Sequence, residues 1–313
     1  MKIAKIVIIT QGTHIIHIQI GIIHKIQIIK GEIKMKISLM LKLLTITILL
    51  STSLFSKSFE KKLLSYEKFR VSQNPQAEIK NVKLAFTKDL GDGWTGYLFK
   101  IDLKYKGKDI KTNDILYSDG KVVTSELKKP TGFDYKMMMH PTLDSRYTDK
   151  KNLIAGNHNA KHKIVIFSDP LCPNCTMVMP EILKDVEANP KKLALYYISM
   201  PLDRLHPTAR TLIKASKVAV AQGVKDVHMK VYTAKFDKFY DPYSEKDNQK
   251  ALDAFNKVLG TKITMKQLEN KKIVSELKHH IKLSDEAMIA GTPTIFFDGE
   301  VDVMRNKYKS VIK

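Results

Sequence analysis

The chain has 313 residues, of which 43% are hydrophobic and 27% are charged, and its formal net charge is +21. This composition excludes an intrinsically disordered chain, and the length allows two domains. The lysines are dispersed along predicted helices beside acidic residues, a pattern that indicates solvated surfaces more than a nucleic-acid site.

Residues 35–57 predict a secretory signal peptide. Lys36 and Lys42 give a positive start, Leu43 to Phe55 form an apolar run, and small residues follow the run. This arrangement is typical of exported proteins. A retained membrane anchor is the alternative, although the apolar run is short for a full span.

Residues 1–34 form an unusual leader, because a signal peptide normally begins the chain. Gly31 and Glu32 can be encoded by DNA that resembles a bacterial ribosome-binding site, two codons before Met35. We hypothesise that Met35 is the true start and that residues 1–34 are translated upstream DNA. A genuine amphipathic leader is the alternative.

Residues 58–127 predict a small α+β domain. An apolar-striped helix covers residues 59–69, and apolar residues alternate with charged ones over residues 97–105, which is typical of a half-buried strand. The Ser118-Asp119-Gly120 segment predicts a hairpin turn. Residues 128–160, punctuated by proline and glycine, are interpreted as a linker.

Residues 161–313 predict a second domain of α/β type. Strands are expected at residues 163–169, 193–199, 294–299 and 301–303. A helix is expected to begin at Pro173, and a helical insertion to occupy about residues 207–288, with helices over residues 207–222, 226–239, 247–259 and 265–288, the last with a possible break.

Both cysteines of the protein, Cys172 and Cys175, lie in this domain, two residues apart. A structural zinc site needs four ligands, and no histidine has a paired spacing with the two cysteines. Covalent haem attachment needs histidine after the second cysteine, but Thr176 stands there. An inert disulfide would close a very short loop and stabilise little. The remaining interpretation is a redox-active dithiol.

The flanking residues favour the redox interpretation. The motif follows an apolar strand and opens a helix, where Pro173 suits the first helical position. Cys172 would then be an exposed N-cap residue, and the partial positive charge of the helix start lowers the pKa of such a thiol. Cys175 shares an inward-facing stripe with Val178, Met179, Ile182 and Val186. We therefore expect Cys172 to attack and Cys175 to resolve the mixed disulfide.

Four further residues could contribute to the site. Thr292-Pro293 precedes a strand, where a cis bond is expected, with an ordinary trans bond as the alternative. Asp169 is a candidate for proton transfer, although an Asp at a strand end is more often solvated or capping. His206, before a predicted helix, is expected to have a capping or surface role.

The strand that ends in FSDPLCPNC, the helical insertion and the GTPT segment together resemble the bacterial periplasmic thiol:disulfide interchange family of DsbA, DsbC and DsbG. Thr292 before the proline is similar to the DsbC and DsbG branch, whereas the CPxC form matches DsbA and DsbG. Asn174 departs from the commoner His or Tyr. The resemblance implies a thioredoxin fold with a helical insertion, preceded by a small dimerisation-type domain. It also implies that Pro173, Asn174, Thr292 and Pro293 contact substrate.

The resemblance implies a periplasmic thiol-disulfide oxidoreductase or isomerase. Its only redox group would be the Cys172–Cys175 disulfide, with no metal and no other cofactor. Its expected partners are unfolded or misoxidised secreted proteins, a DsbD-like reductase or DsbB-like oxidase in the membrane, and a second copy of itself. An exported location argues against nucleic acid, while attraction to anionic membranes or acidic clients stays open. A DsbA-like oxidase and a non-redox chaperone are the alternatives.

Overall fold

The computed structural model describes residues 57–312. The described part of the chain forms two compact units, one with residues 57–85 and 99–114, and the other with residues 86–98 and 115–312. The segments interpreted from sequence as a leader and a signal peptide lie outside the described residues. Within residues 57–312 no helix has the length and apolar character needed to cross a membrane.

The N-terminal elements are one helix and a four-stranded sheet with the order β1-β2-β3-β4. Helix α1 covers residues 57–72. The strands are β1 (Ala77–Gly91), β2 (Trp94–Tyr105), β3 (Lys108–Ser118) and β4 (Val123–Thr124). The predicted half-buried strand is present as β2, and the predicted hairpin is present because β3 pairs antiparallel with β4 through Tyr117 and Thr124. Strand β1 was not predicted. It carries many charged residues and few of its side chains are buried, so it lacks the apolar alternation that marks a half-buried strand.

The segment interpreted as a linker contains regular structure. A 3-10 helix spans Tyr135–Met138, and β5 (Leu153–Gly156) pairs antiparallel with a strand of the second sheet. Gly156 has φ of +79°, and a Cβ at this position would lie 2.1 Å from the Leu193 carbonyl oxygen. Only glycine therefore fits this close approach of two strands.

The second sheet has five strands in the order β5-β7-β6-β8-β9. Its remaining strands are β6 (His162–Ser168), β7 (Leu193–Ser199), β8 (Thr294–Phe297) and β9 (Glu300–Val301). Strands β6 and β7 run parallel, and β8 runs antiparallel to β6. This mixed sheet with helices on its faces confirms the predicted thioredoxin fold.

Strand β6 is central, and its side chains alternate between two cores. Ile164 and Ile166 belong to the core that contains α2 (Pro173–Ala188), while Val165 and Phe167 belong to the core on the opposite face. A strand covered on both faces reads as a continuous apolar run, which is how the sequence reveals it.

The predicted helical insertion is present as five helices: α3 (Ala209–Ala221), α4 (Val227–Thr233), α5 (Asn248–Leu259), α6 (Met265–Leu268) and α7 (Lys271–Glu286). Helix α4 is shorter than predicted and is followed by a 3-10 turn at Phe236–Lys238. The expected break lies between α6 and α7, because the Asn270 side chain accepts a hydrogen bond from the Lys272 amide and caps a new helix. The last segment, Lys307–Val311, is a 3-10 helix.

Candidate active site

The cysteine motif connects β6 to α2 as the sequence predicts. Cys172 is the N-cap residue of α2, with extended backbone geometry, and Pro173 occupies the start of the helix. One turn later, Cys175 faces the core and has 0% exposure. Cys172 is only 6% exposed, so the expectation of an exposed thiol is wrong. Pro173 and Asn174 are the exposed residues of the motif.

The surroundings of Cys172 favour its thiolate. Both cysteines are free thiols, and a hydrogen bond from Cys175 is the largest cause that lowers the pKa of Cys172, to about 5. Further hydrogen bonds from the Thr292 side chain and from the amides of Cys175 and Asn174 act in the same direction. These amides are the donors that the first turn of a helix leaves without helical partners.

The surroundings of Cys175 have the opposite effect. Burial is the largest cause that raises the pKa of Cys175 far above its ordinary value, and the hydrogen bond to Cys172 adds to this. Hydrogen bonds from Ser168 and Thr292 lower the pKa but do not offset burial. At neutral pH one thiol of the pair is therefore ionised and the other is protonated.

The loop before β8 brings Thr292 and Pro293 against this pair. The Thr292–Pro293 peptide bond is cis, as predicted. The Cys172 thiol lies 3.3 Å from the Thr292 carbonyl oxygen, 120 positions away along the chain. The Thr292 hydroxyl is buried and has no conventional hydrogen-bond partner among the described residues. The sulfurs of Cys172 and Cys175 are the groups to which this hydroxyl can donate.

Asp169 is fully buried, with 0% exposure, and it fixes the loop that carries the cysteines. Its carboxylate accepts hydrogen bonds from the amides of Leu171 and Leu202, each at 2.8 Å. The Asp169 carboxylate also lies 3.1 Å from Nδ1 of His206, which is 2% exposed. The expected capping or surface role of His206 is therefore wrong, because the ring is a buried partner of Asp169.

Three hydroxyl groups near Cys175 were not identified from the sequence. The Tyr232 hydroxyl lies 2.8 Å from Oγ of Ser168 and 3.0 Å from the Tyr197 hydroxyl. Ser168 also hydrogen-bonds Cys175. Tyr197 could have been suspected because its polar hydroxyl interrupts a buried strand. Tyr232 could not, because it is on α4 and no local pattern predicts that α4 packs against α2.

No set of three or more His, Cys, Asp or Glu side chains between residues 57 and 312 converges in a way that could hold a metal ion. The cysteines face hydroxyl, amide and carbonyl groups instead. This surrounding chemistry is suited to proton transfer and sulfur exchange.

Several solved structures are similar to about half of the chain. A thioredoxin-like oxidoreductase from Silicibacter pomeroyi has 19% identity and a TM-score of 0.41, over 51% of this chain and 87% of that one. The thiol-disulfide exchange protein alpha-DsbA2 from Wolbachia pipientis has 18% identity and a TM-score of 0.40, over 53% and 90% of the chains. Oxidised BdbD from Bacillus subtilis has 20% identity and a TM-score of 0.41, over 55% and 94%.

No curated protein matches the chain. A family model does match it: the model described as thioredoxin aligns with residues 148–312, more than half of the protein. This match includes the whole second sheet, the cysteine motif and the loop with the cis proline. The chain belongs to the thioredoxin family.

Proposed function

We propose that this protein exchanges disulfide bonds with other proteins through Cys172 and Cys175. The observation that carries the proposal is the geometry of the two thiols: Cys172 is the N-cap residue of α2 and lies 3.3 Å from the Thr292 carbonyl oxygen, whereas Cys175 is fully buried one turn later. A thiolate is the nucleophile in disulfide exchange. A protonated neighbour that cannot compete for external disulfides suits a resolving role.

The exchange proceeds in two steps. The Cys172 thiolate attacks a substrate disulfide, forms a mixed disulfide and releases one substrate sulfur as a thiolate, which takes a proton from water. Cys175 then loses its proton and attacks the Cys172 sulfur, and the second substrate sulfur leaves. The two cysteines are oxidised by two electrons and the substrate disulfide is reduced. The reverse sequence oxidises a substrate dithiol.

The substrate lies against the exposed Pro173-Asn174 segment and the Thr292-Pro293 loop. Pro173 and Asn174 are exposed beside Cys172, and the loop would offer backbone groups to an extended peptide. We assign the protein to the periplasm, with unfolded or misoxidised secreted proteins as its clients. A membrane redox protein resets the Cys172–Cys175 pair, and no other cofactor takes part. Homodimer formation is part of the proposal, and sedimentation equilibrium tests it.

The direction of exchange depends on which membrane partner resets the pair. Thr292 and the N-terminal domain favour the isomerase or reductase direction of the DsbC and DsbG branch, whereas the CPxC motif with its helical insertion favours a DsbA-like oxidase. Acid quenching of cells followed by thiol alkylation measures the redox state directly. A mainly reduced pair supports isomerase or reductase work, and a mainly disulfide form contradicts it.

Purified protein tests the proposal itself. We expect the wild type to reduce the disulfide of a model peptide in the presence of dithiothreitol, and the double variant C172A/C175A to be inactive. An inactive wild type that still prevents aggregation of an unfolded client would contradict the redox proposal. If the double variant retained that protection, the chain would act as a non-redox chaperone.

A further inference from the structure

The Thr292-Pro293 loop follows a helix end with an unusual backbone conformation. Met288 lies just after α7 and has φ of +59°. The Ile289 amide donates to the Ser284 carbonyl at 3.0 Å, which is the hydrogen bond that closes a Schellman turn. Glycine is the usual residue in this conformation, because a side chain there meets steric strain. A methionine at this position is therefore expected to make a compensating contact.

The Met288 side chain makes that contact with a small apolar cluster. Met288 is half-buried and packs against five residues that are at most 6% exposed: Leu90, Leu98, Tyr117, Tyr135 and Met139. Met139 itself lies directly on strand β2, because a Cβ added to Gly96 would be 2.3 Å from the Met139 sulfur. The start of the loop is thus joined to the end of the β1–β2 hairpin.

His140 contacts the loop region at both of its ends. Its Nδ1 lies 3.1 Å from the Ala287 carbonyl oxygen, and because a carbonyl can only accept, Nδ1 carries the proton. The His140 ring also lies 5.7 Å from the ring of Phe296, edge to face. Ala287 precedes the Thr292-Pro293 loop, and Phe296 is on β8, which follows it. One side chain therefore links the two segments between which the loop is held.

A third group of contacts fixes the turn that follows β8. Glu300 accepts hydrogen bonds from the Lys88 ammonium of β1 and from the Thr142 hydroxyl. The Lys88 side chain is only 15% exposed, so this ion pair is partly shielded from water. The Leu143 amide also donates to the Gly299 carbonyl at 2.9 Å. The sheet edge beside the loop is therefore tied to β1 and to the segment before β5.

These contacts come from two stretches of the chain, residues 86–98 and 135–143, which we name the brace. Both stretches belong to the same compact unit as the cysteine motif. The thioredoxin family match begins at residue 148, so it covers no part of the brace.

We propose that the brace holds the Thr292-Pro293 loop in position against Cys172, with Met288 and His140 as positioning residues for disulfide exchange. The inference rests on the proposed exchange function and concerns the same site. It assigns a role to Met288 and His140 that the exchange steps above do not use.

The consequence for exchange follows from where the loop lies. The Thr292 carbonyl oxygen is 3.3 Å from the Cys172 sulfur, and the loop is fixed on both sides within a few residues of this contact. Fixing the ends of a short segment leaves it few conformations. A displacement of about 1 Å in a reacting group can lower a rate by about 10²-fold. The brace should therefore affect exchange with a peptide that lies along the loop, and not the reaction of Cys172 with a small reagent.

The test compares two rates in the full-length protein: attack of Cys172 on a fluorophore-labelled disulfide peptide, measured by stopped flow, and alkylation of Cys172 by iodoacetamide. Both are measured above the pKa of Cys172. M288G relieves the positive-φ conformation but removes the contact with the cluster. We expect it to slow attack on the peptide at least about fivefold, within the range for residues that act on a site from outside it, while alkylation does not fall.

His140 provides a matched pair of variants. H140F keeps a ring against Phe296 but removes the donor to Ala287, whereas H140N places an amide nitrogen where Nδ1 stands. H140F should slow attack on the peptide, and H140N should recover most of the rate. A residue that only fills space would give the opposite order. This pair also keeps the proposal testable if M288G does not fold.

The control for the backbone change is D226G. Asp226 has φ of +57°, is exposed and makes no side-chain cap hydrogen bond. Both of its rates should stay within about twofold of the wild type, as for most surface substitutions. Wild-type peptide rates in M288G and H140F, or an equal fall of the peptide and iodoacetamide rates, would overturn the brace. A wild type that forms no mixed disulfide would instead overturn the proposed function.

Discussion

The surroundings of Cys172 and of Cys175 differ sharply although one helical turn separates the two residues. Cys172 stands at the helix start, where a hydrogen bond from the Cys175 thiol and further amide donors lower its pKa to about 5. Cys175 points into the core, where burial raises its pKa far above the ordinary value. Two residues of the same type therefore differ in thiol pKa because of where each lies in the fold.

The largest expected effect comes from removing one sulfur at a time. C175S should accumulate mixed disulfides with substrate, because Cys172 still attacks and no resolving thiol remains. C172S should accumulate none, since the remaining thiol is buried and protonated. Non-reducing electrophoresis with mass spectrometry checks this. Equal trapping by the two variants would contradict the difference between the two surroundings.

A second variant tests the loop that holds the pair in place. D169A should lower the free energy of unfolding by about 3–5 kcal/mol, because two buried amides and His206 lose their acceptor. The control D203A removes an exposed carboxylate paired with Arg210, and should cost at most about 1 kcal/mol. Urea unfolding measures both values. A D169A variant as stable as D203A would show that the buried carboxylate does not anchor the loop.

The pH dependence of stability should also differ between the reduced protein and C172S. The pKa of Cys172 is lower in the folded protein than in the unfolded chain, so its stabilising contribution is fully present above about pH 9 and is lost as pH falls to about 5. As the pH rises through this window, the free energy of unfolding of the reduced wild type should increase relative to that of C172S by up to about 1.4 kcal/mol per pH unit. Thermal unfolding across the window checks this, and parallel curves would contradict the lowered pKa.

The smallest expected effect concerns Thr292. T292V removes a buried hydroxyl without a conventional partner but keeps the backbone carbonyl that faces Cys172. We expect the pKa of Cys172 to rise by less than about one unit, and the stability to change by at most about 1 kcal/mol. T294V is the control, because the Thr294 hydroxyl that it removes donates to the Gly291 carbonyl. A similar rise of the Cys172 pKa in T294V would rule out a specific role for the Thr292 hydroxyl.

The sequence predicts the features of the site that depend on local signals. The apolar run before Asp169 predicts β6, Pro173 marks the helix start, and the stripe through Met179 and Val186 predicts the buried face of α2. Both Met179 and Val186 have 0% exposure. These predictions succeed because strand alternation and helix periodicity act over a few residues.

The features that the sequence does not reveal depend on segments far apart in the chain. His206 contacts Asp169 across 37 positions, and Tyr232 contacts Ser168 across 64 positions. Each residue alone carries no signal of its partner, and only the packing of α3 and α4 over the sheet brings the pairs together. Strand β5 is hidden for the same reason, since its four residues gain regularity only by pairing with β7.

The most direct measurement of the central claim is the rate of iodoacetamide alkylation of each cysteine in the reduced protein between pH 3 and pH 10. Peptide mass spectrometry assigns the label to one sulfur or the other. We predict that labelling of Cys172 rises with a midpoint near pH 5 and that Cys175 stays unlabelled in the folded protein. A midpoint near pH 9 for Cys172, or equal labelling of both cysteines, would contradict the account.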